Sequence, residues 1–277
     1  MEGRIKVASV WSYEGMRVVV SGGGGGGMGA AAVRELTNLG AEVHVLDLRE
    51  PPVDVASYQA TDLRDPAAAE AAVEKIGGRV DALFNCAGLP GGKFPDLDVM
   101  LVNFVGMRHL AELVSQRMEA GGAIASISST AGIGWEQNIA KWMPLVTTNG
   151  FQAGRAWCEA HPDDIAGGYG PSKQAMIIWT MYAAVALAPR GIRINCISPG
   201  PTDTPMMPDF PQQIIAKYPI PLDRHSSPDE QAYPLIFLNS RAASYITGEN
   251  LITDGGTVGG VMTGQIDLAK ILAEVMG

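Results

Sequence analysis

Arg17-Val18-Val19-Val20-Ser21-Gly22-Gly23-Gly24-Gly25-Gly26-Gly27-Met28-Gly29 runs from three uninterrupted valines into eight positions of which seven are glycine. The valines are β-branched and read as a strand buried on both faces. Residues 30–39 carry a helical pattern, and Gly40 ends it. Strand, glycine loop and helix form the first half of a nucleotide-binding βαβ unit. Glycines let the backbone turn tightly and come close to a pyrophosphate, whose charge the helix N-terminus favours. A flexible linker would not be wedged between a valine strand and an alanine helix.

Working outward, residues 42–46 read as a second strand that Asp47 closes, 18 residues after Gly29. A carboxylate there can accept both ribose hydroxyls of an adenosine and repel a 2′-phosphate. Leu48 follows it, with Arg49 one further on. Strands are expected at residues 57–60, 82–85, 123–128, 193–198 and 250–254. Helices are expected at residues 66–76, 98–118, 228–238 and 265–275, the first opening on Pro66. Residues 1–15 read as an extension ahead of the fold, and residues 257–277 as a tail. Residues 205–228 are rich in Pro and Met and read as a lid, with Met206, Met207, Phe210 and Ile214 as its apolar underside.

Tyr169-Gly170-Pro171-Ser172-Lys173 lies just ahead of an apolar run at residues 175–187. Residues four apart share one side of a helix. Their ordinary pKa values are about 10 for Tyr and about 10.4 for Lys. An ammonium beside a phenol favours phenolate, which predicts a general base usable near neutral pH.

Hydrophobic residues make up 47% of the 277 and charged residues 18%, so a full core is available. The length fits one large α/β domain or two small ones. A net charge of −9 argues against nucleic acid or an anionic membrane as partner. No apolar run reaches the ~20 residues of a membrane span. The first residues lack an apolar signal core, so nothing suggests export. Cys86, Cys158 and Cys196 show no zinc-type pairing, and a reduced, cytoplasmic setting is the simplest reading.

The glycine spacing on Gly23, Gly27 and Gly29 resembles the loop of the short-chain dehydrogenases/reductases, usually Thr-Gly-x-x-x-Gly-x-Gly. If Ser21-Gly22 stand for Thr-Gly, this loop has one extra residue; if Gly23 is the first glycine, Gly22 sits where Thr is expected. Further family-like runs follow in order: Asp62-Leu63, Asn85-Cys86-Ala87-Gly88, Asn103, Ile127-Ser128-Ser129, Tyr169/Lys173, Pro199-Gly200-Pro201-Thr202-Asp203-Thr204 and Asp254-Gly255-Gly256. Cys86 stands where the family has a second Asn. The resemblance covers residues 16–256, and the chain looks most like the bacterial 3α-hydroxysteroid dehydrogenase/carbonyl reductase type.

That resemblance implies one doubly wound α/β domain with strand order 3-2-1-4-5-6-7. It implies NAD as cofactor, held by Gly23, Gly27, Met28, Gly29, Asp47, Leu48, Asp62, Leu63, Asn85, Ala87, Gly88, Tyr169, Lys173, Pro199, Gly200, Thr202 and Thr204. Tyr169 would exchange the substrate proton, Lys173 lower its pKa and hold the cofactor ribose, and Ser129 orient the substrate oxygen. Asn103 would hold a water linking Lys173 to solvent. No metal is needed. The expected substrate is a small apolar alcohol or ketone, alicyclic or steroid-like. A non-catalytic NAD-sensing protein, an NAD-using lyase or epimerase, and a reductase of another small carbonyl compound are the alternatives.

Ser129 and Tyr169 are 40 positions apart, more than in most of the family, so residues 134–160 read as an insert. The insert holds Trp135, Trp142 and Trp157, three of the chain's five tryptophans, and Phe151. In most of the family the helices bearing the Asn and the Tyr pack against a second subunit. The insert is therefore expected to cover that surface, to alter the usual homotetramer in favour of a homodimer or a rearranged assembly, and to wall part of the substrate pocket.

Overall fold

Uninterrupted apolar strands need cover on both faces, and the computed structural model, which describes residues 9–276, supplies it. β1 (Arg17–Ser21), β2 (Glu42–Asp47), β3 (Ser57–Ala60), β4 (Ala82–Asn85), β5 (Ala123–Ile127), β6 (Arg193–Pro199) and β7 (Asn250–Thr253) form one sheet in the order β3-β2-β1-β4-β5-β6-β7. Every neighbouring pair is parallel. Side chains alternate across the sheet. Val18 and Val20 enter one core layer with Val43, Val45, Phe84 and Ile197, and Val19 enters the other with Leu46, Leu83 and Ile124.

The first layer is covered by α1 (Met28–Asn38) and, later in the chain, by α9 (Pro228–Asn239). The second is covered by α2 (Pro66–Ile76), α4 (Met107–Ser115) and α7 (Tyr169–Leu187). The expected single helix over residues 98–118 is broken into three. α3 (Asp96–Met100) leads into a π-helical segment, Leu101–Gly106, which leads into α4. Gly106 explains the crowding there: a Cβ on it would lie 2.3 Å from the Leu63 carbonyl oxygen. A wider turn at that point carries Asn103 inward, and π segments of this kind recur at functional sites.

Residues 9–15, read from sequence as lying ahead of the fold, contribute to the core. Tyr13 is fully buried, its ring 6.2 Å from Phe84 and its hydroxyl donating to the Ile236 carbonyl at 2.7 Å. Residues 1–8 and Gly277 lie outside the described residues. Residues 205–228 hold a 3₁₀ turn, Met207–Asp209, and the short α8 (Gln212–Lys217). α10 (Thr257–Met262) and α11 (Leu268–Met276) end the chain, and α11 packs on α8.

The insert folds as a 3₁₀ turn, Trp135–Asn138, then α5 (Ile139–Val146) and α6 (Gly150–Ala160). It lies on α7 and on the π segment. Trp142 and Phe151 are buried, and the Trp142 indole donates to the Gln174 side chain at 2.8 Å. Arg108 of α4 fastens the other side. Its guanidinium is fully buried and donates to the carbonyls of Leu145 and Gly150 at 3.1 and 2.8 Å and to the Thr148 hydroxyl at 2.8 Å. A charge that deep is tolerated because carbonyls from the α5–α6 turn accept from it and the Glu112 carboxylate lies 3.6 Å from its Nε. The insert therefore occupies the outer surfaces of α4 and α7 within its own chain. Replacing residues 134–160 with a short Gly/Ser linker uncovers those surfaces. The shortened chain is expected to form a larger assembly than the native chain by light scattering; equal masses would show that the insert plays no part in assembly.

Candidate active site

At the carboxyl ends of the strands lies a cavity of about 300 Å³. Its floor is a backbone crossing. A Cβ on Gly29 would lie 2.2 Å from the Gly22 carbonyl oxygen and 2.8 Å from the Cys86 Cβ. A Cβ on Gly22, which has φ +72°, would lie 2.4 Å from the Ala87 amide nitrogen. No side chain fits between β1, the start of α1 and the end of β4. Gly27, the N-cap of α1, has open space where a Cβ would be, and no side chain caps the helix. First-turn amides without intrahelical partners, next to a cavity, suit a pyrophosphate.

The wall beyond is Asp47 with Leu48 and Arg49. The Asp47 carboxylate accepts the Gly24 amide at 2.8 Å and the Arg49 amide at 2.9 Å, tying the loop to the end of β2. Two accepted bonds leave lone pairs for further donors. Asp62 and Leu63 also line the cavity, with Arg64 beside them. Arg64 is neutralised by Asp62 at 2.6 Å and Asp98 at 2.7 Å, and this pairing holds the Asp62 carboxyl below its ordinary range. Ala87, Gly88 and Thr204 complete the expected lining residues that the cavity does contain, together with Gly27, Met28 and Gly29.

Other expected cofactor residues lie off the cavity. Gly23 sits where a Cβ would meet Val33 and Val45 at 2.8 and 3.0 Å, so it is a packing contact between α1 and β2, while Gly22 lines the cavity. Asn85 faces inward; its amide donates to the Met107 carbonyl at 3.1 Å and accepts from the Ser21 hydroxyl at 3.2 Å. Pro199 ends β6, and Gly200 lies against Asp254. Thr202 bonds to the Gly200 carbonyl and the Ser226 hydroxyl at 3.0 and 2.9 Å. These residues shape the loop that presents Thr204.

The four expected catalytic residues converge beside the cavity. Ser128 donates to the Lys173 carbonyl at 2.9 Å, pinning α7 to the end of β5. Gly132 lets the turn after Ser129 lie on α7, since a Cβ there would sit 3.2 Å from the Lys173 carbonyl carbon. Lys173 is buried and its ammonium donates to the Ile127 carbonyl at 3.0 Å. That ammonium lies 5.3 Å from the centre of the Tyr169 ring. Asn103 accepts the Leu89 amide at 2.7 Å and donates to the Leu89 carbonyl at 2.9 Å and the Ser172 hydroxyl at 3.3 Å. Its side chain thus holds the loop after β4 against α7.

The short chain dehydrogenase family model matches residues 17–141, and the model described as enoyl-(acyl carrier protein) reductase matches residues 153–258. Coniferyl-alcohol dehydrogenase of a Pseudomonas species is 31% identical over 246 residues, covering 87% of this chain and 95% of that one. The chain belongs to the short-chain dehydrogenase family. This dehydrogenase is also 29% identical to 3-alpha-hydroxysteroid dehydrogenase/carbonyl reductase of Comamonas testosteroni, over 87% of this chain and 96% of that one. Among solved structures, 3-alpha-hydroxysteroid dehydrogenase from Pseudomonas sp. B-0831, complexed with NADH, superposes with a TM-score of 0.75 at 26% identity, covering 90% of this chain and 99% of that one. As a member of this family the chain is an oxidoreductase. Among the described residues no helix is long and apolar enough to cross a membrane.

Several residues lining the dehydrogenase's cavity escape sequence reasoning: Gly24, Gly25, Arg49, Thr61, Leu89 and Phe94. Only the glycine run and the neighbourhood of Asp47 carried a signal for the first three. At Tyr169, burial and hydrogen bonding act on the phenol in opposite directions. Burial is the largest influence on the phenol and raises its pKa; the Ser129 hydroxyl opposes it. Lys173 points its ammonium at the Ile127 carbonyl, and burial lowers its own pKa from the ordinary 10.5 to about 8. Below pH 8 both folded and unfolded protein carry this proton, so the full cost of burying the charge is present. Between pH 8 and 10.5 only the unfolded chain holds it, so stability rises with pH. Relative to Lys173→Met, the native dehydrogenase is expected to gain about 3 kcal/mol across that window. Urea unfolding of both proteins at pH 7 and pH 10 measures it; a constant gap would exclude a buried, readily deprotonated lysine.

Proposed function

We propose that this dehydrogenase interconverts a secondary alcohol and a ketone on an apolar, alicyclic or steroid-like substrate, using NAD(H). The observation that carries the reading is the meeting of Tyr169, Lys173 and Ser129 beside a glycine-floored cavity. Gly22, Gly27, Met28 and Gly29 would hold the pyrophosphate of a nicotinamide dinucleotide, and Asp47 the adenosine ribose. When bound, the dinucleotide supplies the two-electron acceptor or donor.

The protein's own part is proton handling. Ser129 holds the substrate oxygen by a hydrogen bond. Tyr169 takes the alcohol proton or gives it to the carbonyl. Burial makes a lone phenolate costly and a lone ammonium costly, so each charge is stabilised by the other when both are present. Lys173 therefore favours the phenolate at the moment it forms, although it does not dominate the resting phenol. Phe210, edge-on to the Tyr169 ring at 5.1 Å, and Met206 at the cavity support an apolar substrate. No residue of 134–160 lines the glycine-floored cavity itself.

Tyr169→Phe is expected to keep NAD binding within about twofold of native and to cut turnover at least about a hundredfold, the scale of a lost general acid–base. NADH absorbance with a panel of alicyclic alcohols reads turnover, and native-like turnover by the variant would remove Tyr169 from the chemistry. A native protein that binds NAD yet turns over no member of the panel would favour a sensing role.

Asp47 supports NAD over NADP, because a 2′-phosphate would meet its carboxylate and Arg64 is already neutralised, while Arg49, which lines the same cavity with its guanidinium against Gly25, counts the other way. Asp47→Ala is expected to narrow the preference in kcat/KM by about tenfold, the worth of about 1.4 kcal/mol. Better use of NADP than NAD by the native enzyme would overturn this role for Asp47.

A further inference from the structure

Two segments touch Tyr169. One is the loop after β4: a Cβ on Gly91 would lie 3.0 Å from the Tyr169 Cβ. The other is the segment 205–228, whose Phe210 ring stands 5.1 Å from the Tyr169 ring. The same two segments both line the cavity, one through Leu89 and Phe94 and the other through Pro205 and Met206. They are joined by one ion pair. Lys93 lies two residues from Gly91 and Asp209 lies next to Phe210, and the ammonium meets the carboxylate at 2.8 Å. Behind the lid, Tyr218 donates to Thr130 at 3.1 Å and Thr257 donates to the Pro219 carbonyl at 2.7 Å, so its far limb is anchored to the body of the fold. The near limb, with Met206 to Phe210, has this ion pair as its side-chain tie to the loop after β4.

We infer that Lys93 and Asp209 are positioning residues for the reaction: their ion pair latches the segment 205–228 over Tyr169 and sets how the substrate ring is held against Phe210. The inference rests on the proposed alcohol–ketone chemistry only for its kinetic readout. A closed latch excludes water from the phenol and brings Phe210 to the substrate. An open latch lets substrate enter. The pair is half exposed, with side-chain exposures of 53% and 28%, so its worth is small and sensitive to salt. That suits a contact that must break in each cycle.

The test is a charge reversal read in two ways. Lys93→Glu places two carboxylates together and should hold the lid open. Amide exchange of the peptide over residues 206–218, followed by mass spectrometry, should become about threefold faster or more, while the peptide over residues 17–29 is unchanged. The substrate KM should rise about threefold or more with NADH affinity within about twofold of native. Adding Asp209→Lys to Lys93→Glu should return both exchange and KM to near native. Raising salt should move the native enzyme toward the Lys93→Ala variant and leave that variant unmoved. Native-like exchange in Lys93→Glu, or failure of the doubly reversed protein to recover, overturns the latch. Expected exchange behaviour in a protein that turns over no alcohol or ketone would uphold the latch and defeat the proposed reaction instead.

Discussion

Everything at the carboxyl end of this sheet depends on a place where three stretches of backbone meet with no side chain between them. Gly29 lies on the Gly22 carbonyl, and Gly22 lies on the Ala87 amide. A single Cβ at either glycine would have to displace main chain, which cannot yield as a flexible side chain can. That approach brings the N-terminus of α1 down onto the ends of β1 and β4. It leaves a cavity floored by backbone, where orphan amides and a helix dipole take the place of side chains. The price is the conformational freedom of a glycine-rich loop in the unfolded chain. Asp47 offsets part of that cost by fixing Gly24 to the strand beside it.

The end that carries Tyr169 and Lys173 is organised by burial rather than by mutual attraction. An ammonium inside a protein is unfavourable, and Lys173 is held there by the Ile127 carbonyl and by helix α7, itself pinned through Ser128. The neighbouring phenol is pushed the opposite way by the same loss of water. Two groups whose charged forms are each disfavoured alone make a pair in which proton transfer at one changes the other. The π segment at Leu101–Gly106 serves this arrangement from below, because it turns Asn103 toward the loop after β4 and toward Ser172. Positioning at the reacting end thus comes from buried polar contacts that are satisfied by backbone.

Arg108 does the equivalent work for the insert. A guanidinium without exposure, facing the carbonyls of Leu145 and Gly150, fixes the turn between α5 and α6 on the outside of α4. Trp142, Leu145, Val146 and Phe151 of the insert then bury in the core layer under α7 and the π segment, each gaining about 2 kcal/mol over exposure. The insert is accordingly a fitted outer layer on the two helices that hold the site, with its own polar anchor at Gln174.

Much of this was legible in the sequence, for reasons of range. The strand–glycine–helix run, Asp47 at the end of β2, and Tyr169 four residues from Lys173 are local patterns, and local periodicity decides which side chains share a face. The strand order likewise follows from a resemblance carried by short runs in order. What only the tertiary structure decided depends on contacts between distant segments. Gly22 rather than Gly23 lines the cavity because Ala87 comes to meet it, and Asn85 turns inward because Ser21 and Met107 do. The break of one expected helix into α3, a π segment and α4 comes where the Leu63 backbone leaves no room for a side chain at Gly106. Tyr13 joins the core where its ring meets Phe84 and Ile236, far along the chain, offers its hydroxyl a carbonyl. Sequence determined which groups were present and which neighbours in the chain they faced. Burial and long-range partners, which no short window contains, determined their ionisation and their reach.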